Sequence, residues 1–137
     1  MTTSSRPAPR AVVAGHAGFP AGVVSAVARI AGRNDVFVAV SNEGLDLRGV
    51  EEAIRAALKA HGATVVFTDL PAGSCTMAAR RVARLDSAIS IVTGATVAML
   101  LDFALGGGVS EDDLERAAAR GRESIAVYPA PGGSGGA

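Results

Sequence analysis

The chain reads as an α/β protein: a doubly wound, mainly parallel sheet of about five strands with helices on both faces. Three observations carry this. Short apolar runs alternate with amphipathic stretches along the chain, and the joins between them are short and rich in Gly. Repeated β-α units of this length pack as parallel strands with crossover helices. Hydrophobic residues make up 49% of the 137 and aromatics only 4%, so the core is built from Val, Ala, Leu and Ile.

The elements follow in order. Ala11 to Gly15 is an unbroken apolar run, as a strand buried on both faces requires. Ala21 to Ala31 is a helix with Val23, Val27 and Ile30 at i, i+4, i+7 on one face. Val36 to Val40 is the second strand, followed by the polar turn Ser41 to Gly44. Gly49 to His61 is a helix with Val50, Ile54, Ala57 and Leu58 inward; Glu51, Arg55 and Lys59 form its outer charge ladder, and Gly62 stops it. Thr64 to Thr68 is the third strand, Ser74 to Leu85 a helix bearing Arg80, Arg81 and Arg84, and Ala88 to Val92 the fourth strand. Val97 to Leu105 is an apolar helix broken by Gly106, Gly107 and Gly108. Ser110 caps a helix with acids in its first turn, running to about Arg120. Ser124 to Tyr128 reads as a short fifth strand.

Residues 1–9 are Ser/Thr/Pro-rich and expected to be disordered; residues 129–137 have flexible-linker composition. One α/β domain over residues 10–128 lies between them. Thirteen basic and thirteen acidic side chains cancel, and Trp is absent, so a nucleic-acid surface is not expected. One cysteine, Cys75, and two histidines leave no disulfide and no metal site in the expectation. No cofactor is called for. No segment reads as a signal peptide or membrane span, so a cytoplasmic protein is the default.

Two strand ends carry the chemistry. The first strand stops at His16, which a Gly-rich turn connects to the next helix. Open α/β sheets place their ligand sites at such carboxyl ends, and imidazole reacts near neutral pH. An idle loop histidine is the alternative. The third strand ends at Asp69, followed by Gly73 and Ser74 at a helix start. On a parallel sheet both ends meet one edge. A carboxylate there would fix the imidazole tautomer and free its other nitrogen. An N-cap or Asx-turn aspartate is the bland alternative. Thr93-Gly94 ends the fourth strand at the same edge, and the helix start at Ser74 offers amides to an anion. Histidine, orienting acid and anion-holding amides make a phosphoryl relay. His61, in the last turn of its helix, reads as a surface residue matched to the helix dipole.

His16-Ala17-Gly18-Phe19-Pro20-Ala21-Gly22, Thr68-Asp69-Leu70-Pro71-Ala72-Gly73-Ser74 and Thr93-Gly94-Ala95-Thr96-Val97-Ala98-Met99-Leu100-Leu101-Asp102 occur in order. Together they resemble the mannose-family enzyme IIA domain of the bacterial sugar phosphotransferase system, over about residues 10 to 128. The resemblance implies that His16 is the phosphorylated histidine and Asp69 its hydrogen-bonding acid. It implies a phosphate-side turn at Gly73 and Ser74, with Gly18 in the first motif. It implies that HPr supplies the phosphoryl group and enzyme IIB takes it onward to a sugar. Contact with the membrane is then indirect, through the transporter subunits. It also implies a homodimer in which the last strand is exchanged, and Ser124 to Tyr128 sits where that strand belongs. Four positions depart from the family pattern: Ala72, Cys75, Thr76 and Thr96. Cys75 reads as a small buried hydrophobe, with a reactive thiol as the alternative.

Two other readings stay open. A regulatory phosphoprotein of the same fold, outside transport, needs the same residues. A nucleotide-binding α/β domain fits a Gly-rich strand-to-helix turn, although Gly15, Gly18 and Gly22 do not follow the Gly-x-Gly-x-x-Gly spacing.

Overall fold

The structure is a computed structural model that describes residues 9–132. The expected disorder at the N-terminus and most of the expected flexible tail fall on residues 1–8 and 133–137, outside the described residues. The elements are β1 (Ala11–Gly15), α1 (Phe19–Ala31), β2 (Phe37–Ser41), α2 (Leu47–His61), β3 (Val65–Thr68), α3 (Ser74–Leu85), β4 (Ser90–Val92), α4 (Val97–Gly106) and α5 (Glu111–Glu123).

The four strands form one parallel sheet in the order β2-β1-β3-β4. β1 lies inside, paired on both sides, and all five of its residues are buried. That is why its sequence is a continuous apolar run rather than an alternation. Its side chains still divide by face. Ala11 and Val13 join Val23, Val27, Phe67, Leu100 and Phe103 in one core; Val12 and Ala14 join Val50, Ile54, Val66, Ala78 and Val82 in the other. Thus α1, α4 and α5 cover one face of the sheet, and α2 and α3 the other. The rings of Phe37, Phe67 and Phe103 form the aromatic centre of the first core, with the Phe67 and Phe103 centroids 5.0 Å apart and edge to face. Arg10 stacks over the Phe103 ring at 4.5 Å and donates to the carbonyls of Phe103, Ala104 and Gly108, closing the C-terminal end of α4.

Local signals explain the element ends. Gly32 and Gly62 end α1 and α2 in the left-handed conformation, which glycine adopts at least cost. Asp46 caps α2 and Thr96 caps α4. Ser110 and Asp113 form a reciprocal capping box on α5. The Glu51–Arg55 pair of the expected ladder is present at 2.8 Å, and Arg81 of α3 joins Glu51 at 3.3 Å.

Two expectations need correction. The sheet has four strands among the described residues, not five. Ser124 to Tyr128 follows α5 as irregular chain, and Ile125, Val127 and Tyr128 are more than three-quarters exposed. This segment has apolar strand composition, but no strand among the described residues pairs with it. Ile30 is 59% exposed although Val23 and Val27 are buried. It lies in the last turn of α1, and the periodicity fixes its angle about the helix axis without supplying a neighbour there.

Candidate functional site

The strand order reverses about β1. The chain passes from β1 to β2 on one side and returns to β3 on the other. Ligand sites of open α/β sheets form at the carboxyl ends of the strands flanking such a switch. The register pairs Ala14 with Thr68, so His16 and Asp69, just beyond the two strand ends, become neighbours.

The contact between them is direct. His16 Nδ1 lies 2.7 Å from Asp69 Oδ2, and the His16 backbone N–H donates to the same oxygen at 2.9 Å. A carboxylate can only accept, so Nδ1 carries the proton, and in the neutral ring Nε2 keeps its lone pair. Burial alone would push the Asp69 carboxyl up. The side-chain and backbone hydrogen bonds from His16 outweigh it and hold the group below the ordinary carboxylate range. The other oxygen, Oδ1, is buried with no hydrogen-bond partner among the described residues. The His16 side chain is 45% exposed and that of Asp69 13%, so the acid is enclosed while the ring faces outward.

Two glycines make room for this pair. A Cβ on Gly15 would stand 3.1 Å from Asp69 Cγ and Oδ2 and from the Phe19 ring. A Cβ on Gly73 would stand 3.2 Å from His16 Cε1, the ring atom next to Nε2. Both distances are tighter than ordinary van der Waals contact, so any side chain there would displace the acid or the ring. Gly73 is also the N-cap of α3, and as a glycine it has no side chain to bond the first amides of that helix. The start of α3, with Ser74 as its first residue, therefore presents backbone N–H groups beside the ring, as an anion requires.

A second clamp comes from the end of β2, where the sequence by itself shows only a polar turn. Ser41 Oγ donates to the Ala17 carbonyl at 2.8 Å and accepts from the Glu43 amide. Asn42 Oδ1 accepts from the Ala17 amide at 3.1 Å, and the Asn42 amide donates to the Gly15 carbonyl. Ala17 has φ +50°, the one non-glycine residue with positive φ among the described residues. An alanine there costs about 1–2 kcal/mol relative to the right-handed region. Ser41 and Asn42 hold both its polar backbone groups and so hold the turn that aims His16. The signal available in the sequence was a Ser-Asn pair at the end of the strand beside β1, at the same sheet edge.

His16, Asp69 and Gly73 meet, and Ser74 is one residue beyond. Gly18 is the N-cap of α1, exposed, with open space where a Cβ would be. Thr93 and Gly94 end β4 at the same edge, one strand beyond β3, where the Ala95 amide donates to the Thr68 carbonyl. His61 is exposed at the end of α2, remote from this edge. Cys75 is fully buried, and burial, reinforced by the Asp69 charge, pushes its thiol pKa up. It fills the core as a small hydrophobe and is not poised as a thiolate. Thr76 is buried and donates to the Leu70 carbonyl, while its hydroxyl lies 2.5 Å from that of Thr68. It braces the turn between Asp69 and Gly73 from inside. Among the described residues no cluster of His, Cys, Asp and Glu could hold a metal ion, and no helix is long and apolar enough to cross a membrane.

Comparison with known proteins fits this geometry. Residues 10–118 match the EIIA-man family model, described as the PTS system fructose IIA component. No curated protein matches the chain. Among solved structures, the phosphotransferase system component EIIA from Streptococcus agalactiae superposes with a TM-score of 0.76 at 22% identity, covering 86% of this chain and 95% of that one. The mannose/sorbose specific IIA subunit from Enterococcus faecalis gives 0.76 at 19% identity, covering 90% and 97%. A sigma-54 interaction domain protein from Enterococcus faecalis gives 0.66 at 13% identity, covering 88% and 94%. At these identities the superpositions establish the fold. The family-model match spans most of the folded residues, and this chain belongs to the EIIA-man family of the sugar phosphotransferase system.

Proposed function

We propose that this protein is a phosphohistidine relay that accepts a phosphoryl group from HPr on His16 and passes it to an enzyme IIB for carbohydrate uptake. The observation that carries this reading is the 2.7 Å contact between His16 Nδ1 and Asp69, which in the neutral ring puts the proton on Nδ1 and leaves the lone pair on Nε2 of an exposed side chain. The lone pair of Nε2 attacks the phosphorus, and the bond from phosphorus to the donor breaks with its electrons leaving on the donor. The proton on Nδ1 stays in place. Positive charge that develops on the ring is balanced by the Asp69 carboxylate. Amides at the start of α3, with Ser74 and the open backbone at Gly18 nearby, take the phosphoryl oxygens. Transfer to enzyme IIB runs the same steps in reverse.

The apolar segment Ser124 to Tyr128 and the outer edge of β4 support a homodimer. β4 is a sheet edge, bordered by a cavity of about 520 Å³ lined by Ile91, Val92, Leu114 and Arg122 among others. A fifth strand supplied by a second copy would cover that edge and bury Ile125 and Val127.

The test is incubation with phosphoenolpyruvate, enzyme I and HPr, followed by intact-mass measurement. Wild type and His61→Ala should gain one phosphate, and His16→Ala none. Labelling of His16→Ala would overturn the assignment. A regulatory phosphoprotein would use the same pair, and the fold also occurs in the sigma-54 interaction domain protein. It would load from HPr yet transfer nothing to an enzyme IIB. A nucleotide-binding domain would not load at all.

A further inference from the structure

Several large apolar side chains stand exposed at the carboxyl edge of the sheet, around His16. Phe19 is 37% exposed, Leu70 54% and Met77 52%. Phe19 touches the position where a Gly15 Cβ would be, next to Asp69; Leu70 touches the corresponding position at Gly73, next to the His16 ring. From Met77 one face of α3 continues through Arg80, Arg81 and Arg84, at i, i+3, i+4 and i+7. These four residues line a single shallow cavity of about 250 Å³. The face extends two turns, about 10 Å, away from the site. Arg81 is bonded to Glu51, but no carboxylate pairs with Arg80 or Arg84 among the described residues.

We propose that Phe19, Leu70 and the Met77–Arg84 face of α3 form the docking surface for the protein that exchanges a phosphoryl group with His16, and that this partner presents carboxylates to the arginines. The inference rests on His16 being the phosphoryl acceptor and adds the chemistry of the partner. Apolar contacts surround the reacting nitrogen, where water must be excluded, and charge lies to one side, where it steers and orients approach. A guanidinium fork matches a carboxylate bidentately, so two unpaired arginines one turn apart select an acidic surface. With thirteen basic and thirteen acidic residues in all, the charge of this face is local, which suits a protein patch better than a polyanion.

The experiment compares two phosphoryl sources on wild type, on Arg80→Glu/Arg84→Glu and on the milder Arg80→Ala/Arg84→Ala. Phosphoramidate is a small donor that loses ammonia as the new P–N bond forms, and it needs no docking. It should label all three proteins at His16 at the same rate, which also reports intact folding. Loading from phosphorylated HPr and unloading to enzyme IIB are then measured at low and high salt. For at least one of these protein steps, charge reversal should raise KM about tenfold with kcat unchanged, and added salt should shrink the difference. The alanine pair should move KM in the same direction by less. Both protein steps unchanged or faster in the charge-reversed variant, with phosphoramidate labelling intact, would overturn the docking surface. Failure of phosphoramidate to label wild-type His16 would overturn the relay reading beneath it.

Discussion

Asp69 occupies one ring nitrogen of His16 and leaves the other, Nε2, for the proposed phosphoryl transfer. Replacing Asp69 with Asn keeps the shape and removes the charge. We expect phosphoryl transfer to slow by a factor equivalent to about 1–3 kcal/mol of transition-state stabilisation. Stopped-flow transfer from HPr measures this against an unchanged circular dichroism spectrum. The depressed Asp69 pKa gives the pH dependence its sign. The folded-state value lies below the unfolded one, so the stabilisation from this contact is complete above the ordinary carboxylate range. It fades as pH falls through the folded value in acid. The melts of wild type and Asp69→Asn should therefore converge as pH falls from the ordinary carboxylate range into acid, and a difference that grew over that interval would contradict the pairing. Ala17 supplies a separate test at this scale. Ala17→Gly removes the cost of φ +50° and should raise stability by about 1 kcal/mol, read from denaturant midpoints. Asn42→Ala should slow transfer by loosening the turn that holds His16, and adding Ala17→Gly should recover part of the loss.

At the scale of elements, buried hydroxyls brace the turn after β3. Thr76→Val keeps the volume but leaves the buried Thr68 hydroxyl and the Leu70 carbonyl without their partner. A loss of about 1–3 kcal/mol in urea melts is expected. Much at this scale was legible in the sequence. Four strands and five helices appear where apolar runs and caps placed them, because strands buried on both faces and capped amphipathic helices write their periods into the chain. His16 and Asp69 were legible as a pair for the same reason: parallel strands end at one edge. What periodicity could not reach was contact between turns. Ser41 and Asn42 look like ordinary turn residues until the order β2-β1-β3 puts them against Ala17. Gly18, by contrast, belongs to the first motif, yet its surroundings are open.

For the molecule as a whole, the segment after α5 is the unfinished part. Ser124 to Tyr128 has the composition of a strand and no strand beside it among the described residues. If a second copy supplies that neighbour, light scattering should report twice the 13.6 kDa chain mass. Truncation after Ser124 should abolish the dimer or its solubility. A truncated protein that stayed a soluble dimer would place the joint elsewhere.

In the proposed relay the His16–Asp69 contact selects the nitrogen that carries phosphate. The most direct measurement is 15N and 31P NMR of the protein after loading from HPr, with histidine labelled in both ring nitrogens. The phosphorus should couple to Nε2 of His16, with Nδ1 still protonated and shifted by its bond to Asp69. Phosphate on Nδ1 of His16, or on His61, would overturn this assignment.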